Sequence, residues 1–262
     1  MKRFALIGDP VAHSHSPQLH RAALQQHEIE GEFVSVKVTS AQLPQWMKYE
    51  APQFDGIAVT SPHKENVLEF IHQESEATQK IGAVNTIFQK KGQLIGTNTD
   101  SIGALRALQT AVNPNGLRVL VLGAGGAARA IIFALKMTRS DITVWNRTAP
   151  RAEKLAQEFK IQYEKNLEDI NPDDYNVIIN ATLVGMNEWK SLLSENFWQP
   201  HHTAMDVIYT PLETKFLADA TQSGAKTITG DLMLVYQAVE QFRIWHGEEI
   251  DPDIMAEAFL KE

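Results

Sequence analysis

Lys64 stands in the run Val59-Thr60-Ser61-Pro62-His63-Lys64-Glu65, and Asp100 closes Gly96-Thr97-Asn98-Thr99-Asp100. An ammonium held beside a carboxylate can give a proton to a developing alkoxide oxygen and take it back. Behind Pro62 a first helical turn is expected, and a cation there opposes the helix dipole. A lysine placed against local preference is a functional candidate, and its alternative is a solvated surface lysine. Asp100 also has two readings, as N-cap of the helix that follows or as the partner that orients Lys64. In His13-Ser14-His15-Ser16-Pro17, the hydroxyls of Ser14 and Ser16 open a helix whose free N–H groups suit an anion. Ser16 equally reads as the cap of that helix. Asn85 interrupts an apolar stretch with an amide that backbone or ligand must satisfy. His13 and His15 lack a carboxylate or thiol at ligand spacing, so no metal site is expected.

A second constellation concerns phosphate. Residues 119–129 read Val-Leu-Val-Leu-Gly-Ala-Gly-Gly-Ala-Ala-Arg, an apolar strand running into a glycine turn and a helix. Gly123 permits the tight turn, Gly125 lets backbone approach a pyrophosphate, and Ala128 lets the helix pack close to the strand. Gly123, Ala124, Gly125, Gly126 and Ala127 therefore form the expected dinucleotide turn. Its alternative is a glycine-rich turn that only packs a helix on a sheet. A second strand ends about 20 residues on, where a carboxylate would bind the ribose of NAD. Here the residues are Asn146, Arg147 and Thr148, with Arg151 one helical turn further. Neutral donors and fixed cations suit a 2′-phosphate, so the expected cofactor is NADP(H). The other reading of Arg147 is a solvated surface arginine.

The elements that must position these groups alternate from end to end. Strands are expected at residues 3–7, 33–38, 57–60, 84–88, 94–96, 118–122, 175–181, 204–208 and 226–229. Helices are expected from 17, after Pro62, and over 101–112, 126–137, 151–159, 216–222, 231–246 and from 253. Lys90-Lys91-Gly92 reads as a hairpin turn. Alternating strands and helices predict parallel sheets with helical crossovers. A chain of 262 residues suits two α/β domains better than one core. The expected boundaries are 1–100 for the substrate-binding domain and 101–231 for a Rossmann-type domain. The net charge of −8, without long basic runs, argues against nucleic acid or an anionic membrane as partner. With no cysteine, disulfides and thiolate metal sites are excluded, and a reducing cytosol fits. No signal region precedes the first strand and no apolar run is long enough to span a bilayer, so a cytoplasmic protein is expected.

Taken together, these stretches resemble the NADP-dependent shikimate dehydrogenase family. The resemblance rests on 8–17, 59–65, 81–86, 96–103, the Gly123 turn and Asn146-Arg147-Thr148. It continues through Asn180-Ala181-Thr182, Gly185-Met186, Asp206 to Thr214, and Gly230 to Ala238, all in the family's order. It implies reduction of 3-dehydroshikimate to shikimate with NADPH, in the route to aromatic amino acids. It also implies an active site in the cleft between two domains, with helices over about 232–262 packed back on the first.

By position, Lys64 and Asp100 would be the catalytic pair, and Ser14 and Ser16 would hold the substrate carboxylate. Thr60, Asn85, Asp100 and Gln237 would bind ring hydroxyls, with Tyr209 closing over them. Asn146, Arg147, Thr148 and Arg151 would take the 2′-phosphate, and Gly230 and Met233 would lie near the nicotinamide. Three positions depart from the family's pattern: Ala58 and Arg21 stand where asparagine is common, and Leu183 where serine is frequent. Ala58 removes one polar group from the expected pocket, which leaves a quinate/shikimate dehydrogenase of relaxed specificity as an alternative. A non-catalytic sensor of NADP(H) and a small acid is the alternative of a different class. A monomer or homodimer is expected.

Overall fold

The first strand, β1 (Lys2–Gly8), buries Phe4 on one face and Ala5 and Ile7 on the other, as the two-residue period of a strand requires. It opens a two-domain α/β protein, seen here in a computed structural model that describes residues 1–261. The chain divides into one unit of Met1–Gly103 with Val235–Glu262 and a second of Ala104–Leu234. The first unit continues with α1 (Ser16–Gln26), β2 (Gly31–Lys37), α2 (Leu43–Tyr49), β3 (Gly56–Val59), β4 (Gln73–Glu74) and α3 (Glu76–Ile81). Then come β5 (Thr86–Lys90), β6 (Gln93–Thr97) and α4 (Asp100–Gln109), within which the chain passes to the second unit.

The first sheet has the order β2-β1-β3-β5-β6-β4 and is mixed. β1 pairs in parallel with β2 and β3, whereas β5 is antiparallel to both β3 and β6. The β5–β6 hairpin turns at Lys91 (φ 52°) and Gly92 (φ 76°), the pair of positive angles that matches the twist of two antiparallel strands. One face of the sheet buries Ala5, Ile7, Ile57, Val59 and Ile87 with Leu43 and Met47 of α2.

The second unit holds β7 (Arg118–Leu122), α5 (Gly126–Met137), β8 (Asp141–Trp145), α6 (Ala149–Phe159), β9 (Gln162–Glu164) and β10 (Val177–Asn180). β11 (Thr203–Asp206), α7 (Lys215–Gln222) and β12 (Lys226–Ile228) complete its sheet. Its order is β12-β11-β10-β7-β8-β9, all parallel. Counted from β7 this is the 3-2-1-4-5-6 order of a dinucleotide-binding sheet, with its switch point between β7 and β10. β7, β8 and β10 are near-continuous buried apolar runs because helices cover both faces. The chain leaves through α8 (Gly230–His246), whose residues from Val235 belong to the first unit, and ends in α9 (Pro252–Phe259) against α1.

The structure corrects three local expectations. Ser16 does not cap α1: His15 occupies the N-cap without a side-chain bond, and Ser16 is the first helical residue. No α-helix follows Pro62. The chain turns and then forms a 3₁₀ helix, Asn66–Phe70, so Lys64 lies ahead of it, and the argument from an opposed dipole falls away. Two short helices were unforeseen, α2 and α3. α2, with seven residues, is too short to display a helical period, but α3 carried a readable signal. Its N-cap Ser75 accepts from Thr78 N–H, and Gly82 closes it at φ 68°.

Candidate active site

The carboxyl ends of β1 and β3, and the antiparallel start of β5, bring the polar residues of the first unit together. Beyond β3, Thr60 N–H donates to Ile7 O, and the chain turns through Ser61 and Pro62. His63 is fully buried and bonds Val38 O through Nε2 at 2.6 Å. A carbonyl only accepts, so Nε2 carries the proton there. Lys64 follows at once, its carbonyl accepting from Val84 N–H at 2.7 Å. The turn is thus pinned on both sides of the ammonium.

Lys64 Nζ lies 2.5 Å from Asp100 Oδ2, with side-chain exposures of 18% and 5%. A buried carboxylate needs compensation for lost hydration, and Asp100 receives it twice. Lys64 supplies the charge, and Asn85 Nδ2 donates to Oδ1 at 2.8 Å. Asp100 is thus paired with Lys64 and stands as the first residue of α4. Asn85 is itself held from several sides. Its amide nitrogen also reaches Thr99 Oγ1 at 2.9 Å and Gln237 Oε1 at 3.2 Å. Its oxygen accepts from Thr99 N–H at 2.7 Å and from the Thr86 hydroxyl at 2.8 Å. Ser14 Oγ accepts from Ser16 N–H and donates to Ser16 Oγ, both at 3.3 Å, placing the two hydroxyls side by side at the start of α1. Lys64, Asp100, Asn85 and Gln237 thus form one hydrogen-bonded cluster, and Ser14 and Ser16 form a second.

In the second unit, Gly123 has φ 118°, a conformation L side chains rarely adopt, and a Cβ there would meet Ala181 O at 2.9 Å. Gly125 is the N-cap of α5, and a Cβ on it would point into open space with nothing within 4 Å. That is the cradle an approaching pyrophosphate needs, at a helix N-terminus with free N–H groups. Ala128 is fully buried where α5 packs on the sheet. Beyond β8, Asn146 Nδ2 bonds Thr148 O at 3.1 Å, and Arg147, Thr148 and Arg151 are exposed. Residues of the turn and of this basic corner therefore fit a dinucleotide with a 2′-phosphate.

Asp206 closes the carboxyl edge of this sheet. It is fully buried and accepts from Thr214 Oγ1 at 2.7 Å, Ile208 N–H at 3.0 Å and Asn180 Nδ2 at 3.1 Å. Burial pushes its carboxyl up to about 6, against the lowering effect of those hydrogen bonds. The bonds to Ile208 and Thr214 tie both ends of the loop that carries half-buried Tyr209. Gly230 packs on the same loop, since a Cβ there would lie 2.7 Å from the Val207 carbonyl carbon. Met233 is buried three residues on. Among the described residues there is no cluster of three or more metal-ligating side chains, and no helix is long and apolar enough to cross a membrane.

Family models match in three stretches: the shikimate dehydrogenase substrate binding domain over residues 6–87, shikimate/quinate 5-dehydrogenase over 106–188, and the shikimate 5′-dehydrogenase C-terminal domain over 233–258. The NADP(+) shikimate dehydrogenase of Pyrococcus furiosus is 40% identical over 266 residues, covering 100% of this chain and 97% of that protein. The chain belongs to the shikimate dehydrogenase (NADP(+)) family. As such it is an oxidoreductase. The Thermus thermophilus shikimate 5-dehydrogenase, solved with NADP(H) and shikimate, matches at TM-score 0.93 and 40% identity over 100% of this chain and 99% of that one. Quinate dehydrogenase of Corynebacterium glutamicum, solved with NAD, matches at TM-score 0.90 and 27% identity, over 100% of this chain and 99% of that one.

Sequence reasoning passed over several residues that hold these two polar clusters together. Thr99, Thr86 and Gln241 complete the hydrogen bonding of Asn85, and Asn180 and Thr214 that of Asp206. Gln241 carried a signal, because it lies four residues after Gln237 and therefore on the same face of α8. For Asp206 there was none beyond an acid at the end of an apolar strand.

Proposed function

We propose that this protein interconverts 3-dehydroshikimate and shikimate with NADP(H), Lys64 moving the proton and Asp100 holding Lys64 in place. The observation that carries the mechanism is the buried Lys64–Asp100 pair, 2.5 Å apart and anchored by Asn85. When bound, the nicotinamide supplies or accepts the hydride. As a carbonyl carbon accepts hydride, its oxygen becomes an alkoxide, and the Lys64 ammonium supplies the proton that neutralises it. In the reverse direction neutral Lys64 takes the hydroxyl proton as hydride leaves. Asp100, acceptor-only and fixed by Asn85, stabilises the ammonium form and orients its Nζ.

The remaining groups bind. Ser14 and Ser16 hold a carboxylate at the start of α1, and Thr60, Asn85, Asp100 and Gln237 hold ring hydroxyls. Tyr209 covers the substrate. Gly123 to Ala127 carry the pyrophosphate, Asn146, Arg147, Thr148 and Arg151 the 2′-phosphate, and Gly230 and Met233 the nicotinamide end. Residues 1–100 with the helices from 232 onward are thereby assigned to substrate, and 101–231 to cofactor. A chain without cysteine suits the reducing cytosol, where this reading places its work.

Reduction of NADP⁺ by the purified protein with shikimate tests this directly, with quinate and NAD⁺ as parallel replacements. Turnover confined to shikimate with NADP⁺ is the expected outcome. Equal efficiency on quinate would establish relaxed specificity, a reading that Ala58 keeps in view. Silence with all four pairs, from folded protein that binds NADPH, would make it a sensor instead.

A further inference from the structure

α8 presents Gln237, Gln241 and Trp245 at four-residue spacing, on one face. Each bonds a successive stretch of chain at β5. Gln237 Oε1 accepts from Asn85 Nδ2 at 3.2 Å, and Gln241 Nε2 donates to Asn85 O at 3.2 Å and to Thr86 Oγ1 at 3.0 Å. Trp245 Nε1 donates to Ile87 O at 3.1 Å. The helix comes this close because the facing positions of β3 are small. A Cβ on Gly56 would lie 2.5 Å from Trp245 Nε1, so Gly56 faces α8, and Ala58, two residues on, shares that face.

Ala58 is also the antiparallel partner of Thr86. Paired side chains share a face with Cβ atoms roughly 5 Å apart. The Gln241 carboxamide that reaches Thr86 therefore meets the sheet on the face that Ala58 shares, where a longer residue at 58 would extend. His20, stacked on Phe33 with centroids 4.5 Å apart, holds the other end of that carboxamide, bonding Gln241 Oε1 through Nε2 at 3.1 Å.

We propose that Gln241 is a positioning residue for the substrate-hydroxyl site and that Ala58 and Gln241 are a matched pair. Gln241 refills the space and the polar contact that a small residue at 58 gives up, and through Asn85 and Thr86 it holds the amide that meets the substrate. This rests on Asn85 and Gln237 being substrate ligands, as proposed above.

The test is a double-mutant cycle on the intact enzyme with shikimate and NADP⁺. Gln241→Ala and the shape-preserving Gln241→Met are each expected to raise the KM for shikimate by about five- to thirtyfold, the worth of two hydrogen bonds. The KM for NADP⁺ stays within about twofold of the parent, because Gln241 lies in the unit that carries no cofactor residue. Ala58→Asn, which crowds Gln241, raises the KM for shikimate as well. Combining Ala58→Asn with Gln241→Ala restores it toward the parent value, since the new amide takes the vacated space. An unchanged KM for shikimate in both Gln241 variants would overturn the proposal, as would a double variant whose losses multiply or that fails to fold. A purely structural role would lower the active fraction with every substrate and leave KM untouched. If the substrate reading itself were wrong, the parent protein would not turn shikimate over at all.

Discussion

Asp100, the partner of Lys64, is held on both of its oxygens. Asp100 is 4% exposed and bonded to both Lys64 and Asn85, so removing the ammonium leaves a buried carboxylate with one donor in place of two. Lys64→Ala is accordingly expected to lower kcat at least about a hundredfold, the usual worth of a proton shuttle, while the Kd for NADPH changes little. Single-turnover kinetics with a fluorescence titration of NADPH check both halves. A near-normal kcat would remove Lys64 from the mechanism. Arg147 makes a separate case. It is exposed, at the end of β8, and its expected use is a phosphate that only one of the two nicotinamide cofactors carries. Arg147→Ala should weaken NADPH by about tenfold or more and NADH hardly at all, the loss of one charge-assisted pair. Equal losses for both would mean that the arginine serves the fold.

At the scale of elements, the switch point of the second sheet sets two glycines with opposite surroundings side by side. Gly123 follows β7 in a left-handed conformation while the carbonyl of Ala181, after β10, blocks any Cβ. Gly123→Ala should therefore cost about 2 kcal/mol or more, from backbone strain together with the clash. It should lower Tm and weaken NADP(H) together. Gly125→Ala is the contrast: the space beside it is open, so Tm should hold while NADP(H) affinity falls. Differential scanning calorimetry with and without NADPH separates the two, and an equal loss of Tm in both variants would contradict the assignment of that space to the cofactor.

Across the whole molecule, buried groups respond to acid in opposite directions: His20 and His246 in the first unit and His202 in the second have their pKa lowered by burial, whereas Asp206 is raised. His20, fully buried, has its pKa lowered from 6.5 to about 3, chiefly by burial, with only partial relief from its bond to Gln241. Between those values the unfolded chain binds a proton that the folded one does not, so the stability of the first unit falls as pH drops below 6.5. His246, half-buried and lowered to about 4, acts in the same sense with more solvent screening. Asp206 is raised from 3.8 to about 6, so the folded second unit binds a proton there first and gains stability from it as pH falls through that window. Each fully open window is worth about 1.4 kcal/mol per pH unit. Going from pH 7 to 5, hydrogen exchange corrected for intrinsic rates should show amides of β1 and the end of α8 losing protection and those of the Asp206–Thr214 loop, held by Asp206, gaining it. Parallel changes in both places would refute this.

Local patterns fixed much of this in advance. A lysine, an acid and an amide at the ends of apolar strands, a glycine turn at the right distance from Asn146-Arg147-Thr148, and alternating strands and helices were legible because strand period, turn chemistry and phosphate binding are short-range. The buried supports were not. Asn85 depends on Thr99 and on Gln237, residues 14 and 152 positions away, and Asp206 on Thr214 and on Asn180, 26 positions away. Whether a polar side chain is satisfied depends on which strands become neighbours, and no local pattern encodes that. The helix expected behind Pro62 failed for the same reason: the turn there is set by His63 reaching Val38 and Val84 reaching Lys64, long-range bonds that override local propensity. The sequence by itself determined the chemistry available and the class of cofactor. The tertiary structure decided which groups hold one another, because a buried hydrogen bond exists only once the sheets have formed.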